Sequence, residues 1–168
     1  VPVVAIVGYT NAGKSTLLNL LTDAGIPANN RLFDTLDTTT RQLEVSDTLS
    51  VLLSDTVGFI SKLPHHLVEA FKATLEELQY ADILLHVVDA SNPNREEHMK
   101  VVYETLKSLK CENTPVITVF NKMDNDVELP LPMDTVARDI VQVSAWKGDG
   151  MEVLLERVEK LLQSFRRS

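Results

Sequence analysis

The sequence predicts an α/β fold: a mainly parallel six-stranded sheet with one antiparallel edge strand, and helices on both faces. Three observations predict it. Short apolar, largely β-branched runs alternate with segments of helical period. Within the first third of the chain, two short runs are separated by only two polar residues, the spacing of a hairpin. The polar, glycine-bearing stretches follow strands, where open α/β sheets hold their ligands.

Val3–Val7 is short and apolar, and reads as a buried strand. Lys14–Asp23, with Leu17, Leu18, Leu20 and Leu21, reads as a helix, and the polar, weakly periodic Ala28–Thr40 as an exposed loop. Gln42–Ser46 and Leu49–Ser54, joined by Asp47–Thr48, form the expected hairpin. "DTVGFISKLP" (55–64) is a loop whose Pro64 suits the first turn of a helix over 64–80, with Leu67, Phe71, Leu75 and Leu78 on one face. Ile83–Val88 is a strand, and a helix over Asn94–Leu109 turns Met99, Val102, Tyr103 and Leu106 inward. Pro115–Phe120 and Ile140–Val143 are the last strands. Met151–Phe165 closes the chain as a helix, with Leu154, Leu155, Val158, Leu161 and Leu162 in register. "NDVELPLPMDTVARD" (125–139) carries two prolines and little periodicity, so a helix there is short or missing.

At 168 residues the chain suits one domain, 1–168. With 44% apolar and 24% charged residues its composition is that of a soluble globular protein. No apolar run approaches the roughly 18–20 residues of a membrane span, and no basic-then-apolar export signal opens the chain. Cys111 has no second cysteine to pair with, which fits a reducing cytoplasm. A net charge of −8 argues against direct RNA binding by this piece. The chain opens at Val1, almost on its first strand, and stops at "FRRS"; the expectation is a monomeric domain from a longer protein.

Gly8–Ser15, "GYTNAGKS", fits G-x-x-x-x-G-K-[ST] between a strand and a helix, a context that makes a chance glycine turn a poor explanation. Gly8 and Gly13 permit tight turns, so the backbone over Asn11, Ala12, Gly13, Lys14, Ser15 and Thr16 can converge on phosphate oxygens at a helix N-terminus. Lys14 would reach the β- and γ-phosphates, and Ser15 would offer its hydroxyl to Mg2+. Asp55 ends a strand, where its carboxylate can hold a magnesium-bound water; Gly58 could give its N–H to the γ-phosphate.

"NKMD" (121–124) follows another strand. Asp124 can accept two hydrogen bonds from guanine, from N1–H and from the exocyclic amine, whereas adenine presents an acceptor at N1. Lys122 would lay its methylenes over the base, and Asn121 would tie this loop to the phosphate loop. "SAWKG" (144–148) adds Ser144 and Ala145, the latter offering its N–H to guanine O6. Trp146 is expected to pack against that loop. The expected ligand is GTP or GDP.

With these motifs in order, the chain resembles a TRAFAC-class GTPase domain of P-loop NTPase, Ras-like fold, and more narrowly the HflX family. The narrower resemblance rests on "GYTNAGKSTLLN", "RLFDTLDTTTR", "DTVGFI" and "LPHHLVEAFKATLEE", which together cover most of residues 3–90. It implies a GTP-hydrolysing switch whose full-length protein associates with the large ribosomal subunit and can split ribosomes. It also implies a first-switch threonine on Mg2+: Thr35 in "LFDTL" fits best, with Thr38, Thr39 and Thr40 competing. Lys14, Thr35 and Gly58 are then the catalytic set, and Ser15, Thr35 and Asp55 (via water) the metal set. Phe59 stands where Ras-like enzymes carry glutamine, so slow intrinsic turnover is expected; it can equally pack beneath the switch. Asn11 either helps bind K+ or caps its own turn. Arg31 and Arg41 read as solvated charges or fingers, His65 and His66 as surface, and 60–72 as a partner-contact surface. The alternatives are an Era- or TrmE-like GTPase acting on other RNA, and a passive guanine-nucleotide-binding scaffold.

Overall fold

A computed structural model of the chain describes residues 2–9, 12–21, 39–55 and 77–166. Its strands are β1 (Val3–Gly8), β2 (Thr39–Glu44), β3 (Ser50–Asp55), β4 (Ile83–Asp89), β5 (Val116–Asn121) and β6 (Asp139–Gln142). Its α-helices are α1 (Lys14–Leu21), α2 (Arg95–Ser108) and α3 (Met151–Arg166). The sheet runs β2-β3-β1-β4-β5-β6; β2 lies antiparallel to β3 and every other pair is parallel. The predicted architecture is present.

Strand alternation sorts the core to the two faces of the sheet. Val4, Ile6, Ile83, Leu85, Val87, Ile117 and Val119 join Leu17, Leu18 and Leu21 of α1 and Leu154, Val158 and Leu162 of α3. The residues between them, Ala5, Val7, Leu84 and Val116, meet Val102 and Leu106 of α2. The central β4 is buried over six successive residues, as a strand covered on both faces must be.

Several boundaries differ from the sequence reading. β2 begins at Thr39, so Thr39 and Thr40 belong to the strand rather than to the preceding loop. Their pairing is dictated by β3, Thr39 opposite Asp55 and Thr40 opposite Ser54, and not by their own periodicity. Of the helix expected over 64–80, the described part, Glu77–Tyr80, is a 3₁₀ turn with Leu78 buried. β4 and β5 each run one residue further, to Asp89 and Asn121, and β6 is shifted by one residue.

Residues 125–138 contain no helix, as Pro130 and Pro132 imply. Two polar anchors hold this segment down instead. Arg95, 9% exposed, donates to Ala90 O (2.7 Å), Glu128 O (2.6 Å) and Pro130 O (3.1 Å). Asp134 Oδ2 accepts from the Tyr103 and Thr118 hydroxyls, both at 2.5 Å, while Oδ1 accepts from Val136 N (3.0 Å) and Ala137 N (2.9 Å). Tyr103 is therefore half-buried with its hydroxyl committed to this network, where the sequence placed it simply inward.

Candidate functional site

The parallel strands deliver three loops to one edge of the sheet: the loop after β1, the turn after β5 and the turn after β6. α1 begins at Lys14, immediately after Gly13, and Leu17 N donates to Gly13 O at 3.0 Å. Gly13 sits at φ +93°, in the left-handed region that favours glycine, and a Cβ there would run into Asn121 Nδ2. At Gly8 a Cβ would lie 2.7 Å from Val87 O, so side-chain-bearing residues are excluded by the neighbouring strand.

Asn121 is 2% exposed and joins all three loops. Its Nδ2 donates to Ala12 O (3.1 Å), the tie to the phosphate-type loop that the sequence predicts. Its Oδ1 accepts from Ala145 N at 2.9 Å. The sequence offered that N–H to guanine O6; in the structure its partner is Asn121.

Asp124 is oriented by Ser144, whose hydroxyl donates to Oδ1 at 2.6 Å. That bond, aided by the Asp124 backbone and by Lys147, holds the carboxyl below the usual carboxylate range against some desolvation, so it is an acceptor at neutral pH. Ser144 itself is buried and bonded in both directions to Asp149 (3.0 Å each), which closes the 144–149 turn at its base.

Lys122 occupies a left-handed backbone conformation, φ +64°, and its Nζ lies 3.2 Å from Asp89 Oδ2. Asp89 Oδ1 is held in turn by Ser91 N (2.9 Å) and Ser91 Oγ (2.6 Å). Sequence reasoning missed Asp89. Its signal, an acidic residue ending an apolar strand, was the one used for Asp55. A second missed contact is Tyr9, which stacks on His98 of α2 with ring centroids 3.7 Å apart and planes within 5°.

Gly13, Thr16, Asn121, Lys122, Asp124, Asn125, Ala145 and Trp146 line one cleft of about 350 Å³. Larger clefts of about 650 and 770 Å³ lie along α2, but the half-buried Asp134 of the first and the buried Arg95 of the second already bond to the protein itself. The smaller cleft is the one that gathers Gly13, Thr16, Asn121, Lys122, Asp124 and Ala145, all of which the sequence reading singles out. Trp146 corrects the sequence reading: the residue is 85% exposed at this cleft rather than packed against the loop.

Ser15 lies in the first turn of α1, and Asp55 ends β3 opposite Ile6 of β1. Asn11, Arg31, Thr35, Thr38, Gly58, Phe59, His65, His66, Leu67, Phe71 and Leu75 lie outside the described residues.

The family model described as "50S ribosome-binding GTPase" matches residues 3–122. A GTPase HflX from Lacrimispora saccharolytica is 55% identical over 164 residues, covering 98% of this chain and 39% of that protein. A GTPase HflX from Caldanaerobacter subterraneus is 52% identical over 162 residues, covering 96% and 37%. The chain thus spans about two fifths of the length of these relatives. A GTP-binding protein from Sulfolobus solfataricus, solved in complex with GDP, aligns with a TM-score of 0.77 at 27% identity, over 98% of this chain and 53% of that one. By the family match and the three loops at the sheet edge, the chain belongs to the 50S ribosome-binding GTPases, as a GTPase domain of the HflX type.

Proposed function

We propose that this chain binds guanine nucleotide through the cleft at Asn121 and Asp124, and that its GTP hydrolysis switches the association of a longer protein with the large ribosomal subunit. One observation carries the reading: Asn121 fastens Ala12, in the phosphate-type loop, to Ala145, beside Asp124, so one buried amide aligns the two ends of a nucleotide site. Asp124, ionised and aimed by Ser144, accepts from the guanine edge, and Lys122 flanks the base. The backbone over Asn11, Ala12, Gly13, Lys14, Ser15 and Thr16 receives the phosphates, and Lys14 neutralises charge developing on the transferred phosphoryl group. Ser15, Thr35 and Asp55, the last through water, would hold Mg2+, which supplies Lewis-acid neutralisation of the β- and γ-oxygens. Gly58 would donate to the γ-phosphate and report its loss.

Phe59 cannot orient water by hydrogen bonding, so turnover by the chain alone is slow and rises when a partner completes the site. Asn11, inside the G-x-x-x-x-G-K-[ST] stretch, would assist K+, whose charge would replace an arginine finger. No helix among the described residues is long and apolar enough to cross a membrane. Multiple-turnover phosphate release tests the reading: slow with the chain alone, faster with large ribosomal subunits, and faster in K+ than in Na+. Fast release by the chain alone, or ATP displacing GTP at equal concentration, refutes it.

A further inference from the structure

We infer that His98 is a positioning residue for the phosphate-type loop: its imidazole holds Tyr9 by a ring stack and so fixes backbone that receives the nucleotide's phosphates. This rests on the guanine-nucleotide reading above. Tyr9 is the second residue of Gly8–Ser15, a position that G-x-x-x-x-G-K-[ST] leaves open and that here carries an aromatic ring. Tyr9 O accepts from Ala12 N at 3.3 Å, so a shift of Tyr9 passes directly to Ala12. Ala12 O is held from the other side by Asn121 Nδ2. The stretch is thus anchored twice, at Ala12 by a buried amide and at Tyr9 by its own side chain. That side chain is partly buried, on the face of the sheet where Ala5 and Val7 meet Val102 of α2.

With centroids 3.7 Å apart and planes within 5°, the two rings cover each other face to face, which sets the plane of the Tyr9 side chain as well as its place. The partner ring stands on fixed ground. His98 N donates to Asn94 O at 3.0 Å, and the neighbouring Met99 is 5% exposed in the core. One residue before Glu96, Arg95 ties the same end of α2 to Ala90 O, Glu128 O and Pro130 O. A loop held by such a partner has less freedom to lose when phosphates arrive, so the contact is felt as affinity. Burial keeps the imidazole below its usual pKa against the pull of Asp89 and Glu97. At neutral pH the ring therefore stacks uncharged, and phenylalanine is its conservative replacement.

Calorimetry with GDP, and displacement of a fluorescent GDP by guanosine, separate the phosphate end of the site from its base end. His98→Ala should raise the Kd for GDP roughly 2- to 10-fold, the worth of one aromatic pair, and leave the Kd for guanosine, which has no phosphate, unchanged. His98→Phe, which keeps a flat ring, should restore GDP binding; His98→Leu, which keeps only apolar bulk, should not. Tyr9→Leu breaks the same contact from the loop side. It should also weaken GDP, and adding His98→Ala to it should cost nothing more. A contact that served the fold alone would weaken both ligands alike and would be rescued as well by leucine as by phenylalanine. Equal Kd for GDP in parent and His98→Ala, an equal loss for guanosine, rescue no better by phenylalanine than by leucine, or additive losses in the double variant overturns this inference and leaves the guanine reading standing. No GDP binding by the parent overturns both.

Discussion

His86 makes the stability of this domain fall in mild acid. It stands in the middle of β4, with Val7 and Thr118 as register partners on either side, and is 1% exposed. Its ring meets Tyr103 edge-on at 4.9 Å, and among the described residues its Nδ1 has no hydrogen-bond partner. Burial drives the imidazole pKa from 6.5 down to about 4, against the pull of the Asp134 carboxylate. The unfolded chain takes up this proton near pH 6.5 and the folded chain only near pH 4. Between those values the unfolded state binds more protons, so stability is greatest above pH 6.5 and is lost as pH falls. For these two pKa values the loss is about 2 kcal/mol by pH 5 and about 3 kcal/mol by pH 4.

Urea-unfolding midpoints of the parent and of His86→Leu, measured between about pH 7.5 and 4.5, isolate this contribution. The substitution removes both the proton uptake and an unpaired buried nitrogen. Near pH 7.5 the variant should equal the parent or exceed it by about 1 kcal/mol. By pH 5 it should have lost about 2 kcal/mol less than the parent. Asp134 and Asp124, whose carboxyls are both held low in the folded state, also lose stabilising charge in acid, but they are common to both chains. Parallel pH curves for parent and variant refute the reasoning.

Three further outcomes follow from named contacts. Gly13→Ala places a Cβ against Asn121 Nδ2 at φ +93° and should cost about 1–2 kcal/mol in backbone strain alone, seen as a lower Tm together with weakened GDP binding by calorimetry. Asp134→Ala leaves the wholly buried Thr118 hydroxyl without its carboxylate acceptor and frees residues 131–137; a loss of about 2–4 kcal/mol in urea unfolding is expected, with Asp134→Asn retaining part of it. Asp89→Ala releases a partly exposed Lys122 ammonium, so the effect is discounted to about 1 kcal/mol, a several-fold rise in the Kd for GDP that Asp89→Asn should partly rescue.

The sheet was legible because its residues state their burial locally. β4 and β5 are mostly apolar runs, broken only by His86 and Thr118 before their polar last residues, and the alternation of Val4 and Ile6 with Ala5 and Val7 fixes which face each side chain serves. The helix over 125–138 was read as short or missing because Pro130 and Pro132 interrupt a stretch of little periodicity, and the structure shows it missing. Contacts set by partners far away in the chain were not legible. Thr39 and Thr40 enter β2 because β3 supplies their ladder, and Glu77–Tyr80 forms a 3₁₀ turn despite helical periodicity. Asp134 becomes an anchor only when Tyr103, Thr118 and its own downstream N–H groups converge on it. At the site, Asn121 and Asp124 were readable as types in a spaced pattern. The diversion of Ala145 N to Asn121 and the exposure of Trp146 depend on the closed 144–149 turn, which no local pattern announces.

The requirement for glycine at 13 and for asparagine at 121 is a single requirement. A buried side chain between Ala12 O and Ala145 N must accept at one end and donate at the other. Aspartate has no donor for Ala12 O, serine lacks the span, and glutamine adds a methylene where Gly13 already sits against the amide. Only an amide of asparagine's length fits, and only a residue without Cβ lets it approach. Because the amide is spent in both directions, the phosphate-type loop and the turn bearing Ser144 cannot shift independently without stranding a buried polar group, at about 1–3 kcal/mol each. On the proposed reading, binding energy gained where Asp124 meets a base would fix the position of Gly13 and Lys14, so that the two ends of the site would act as one rigid piece.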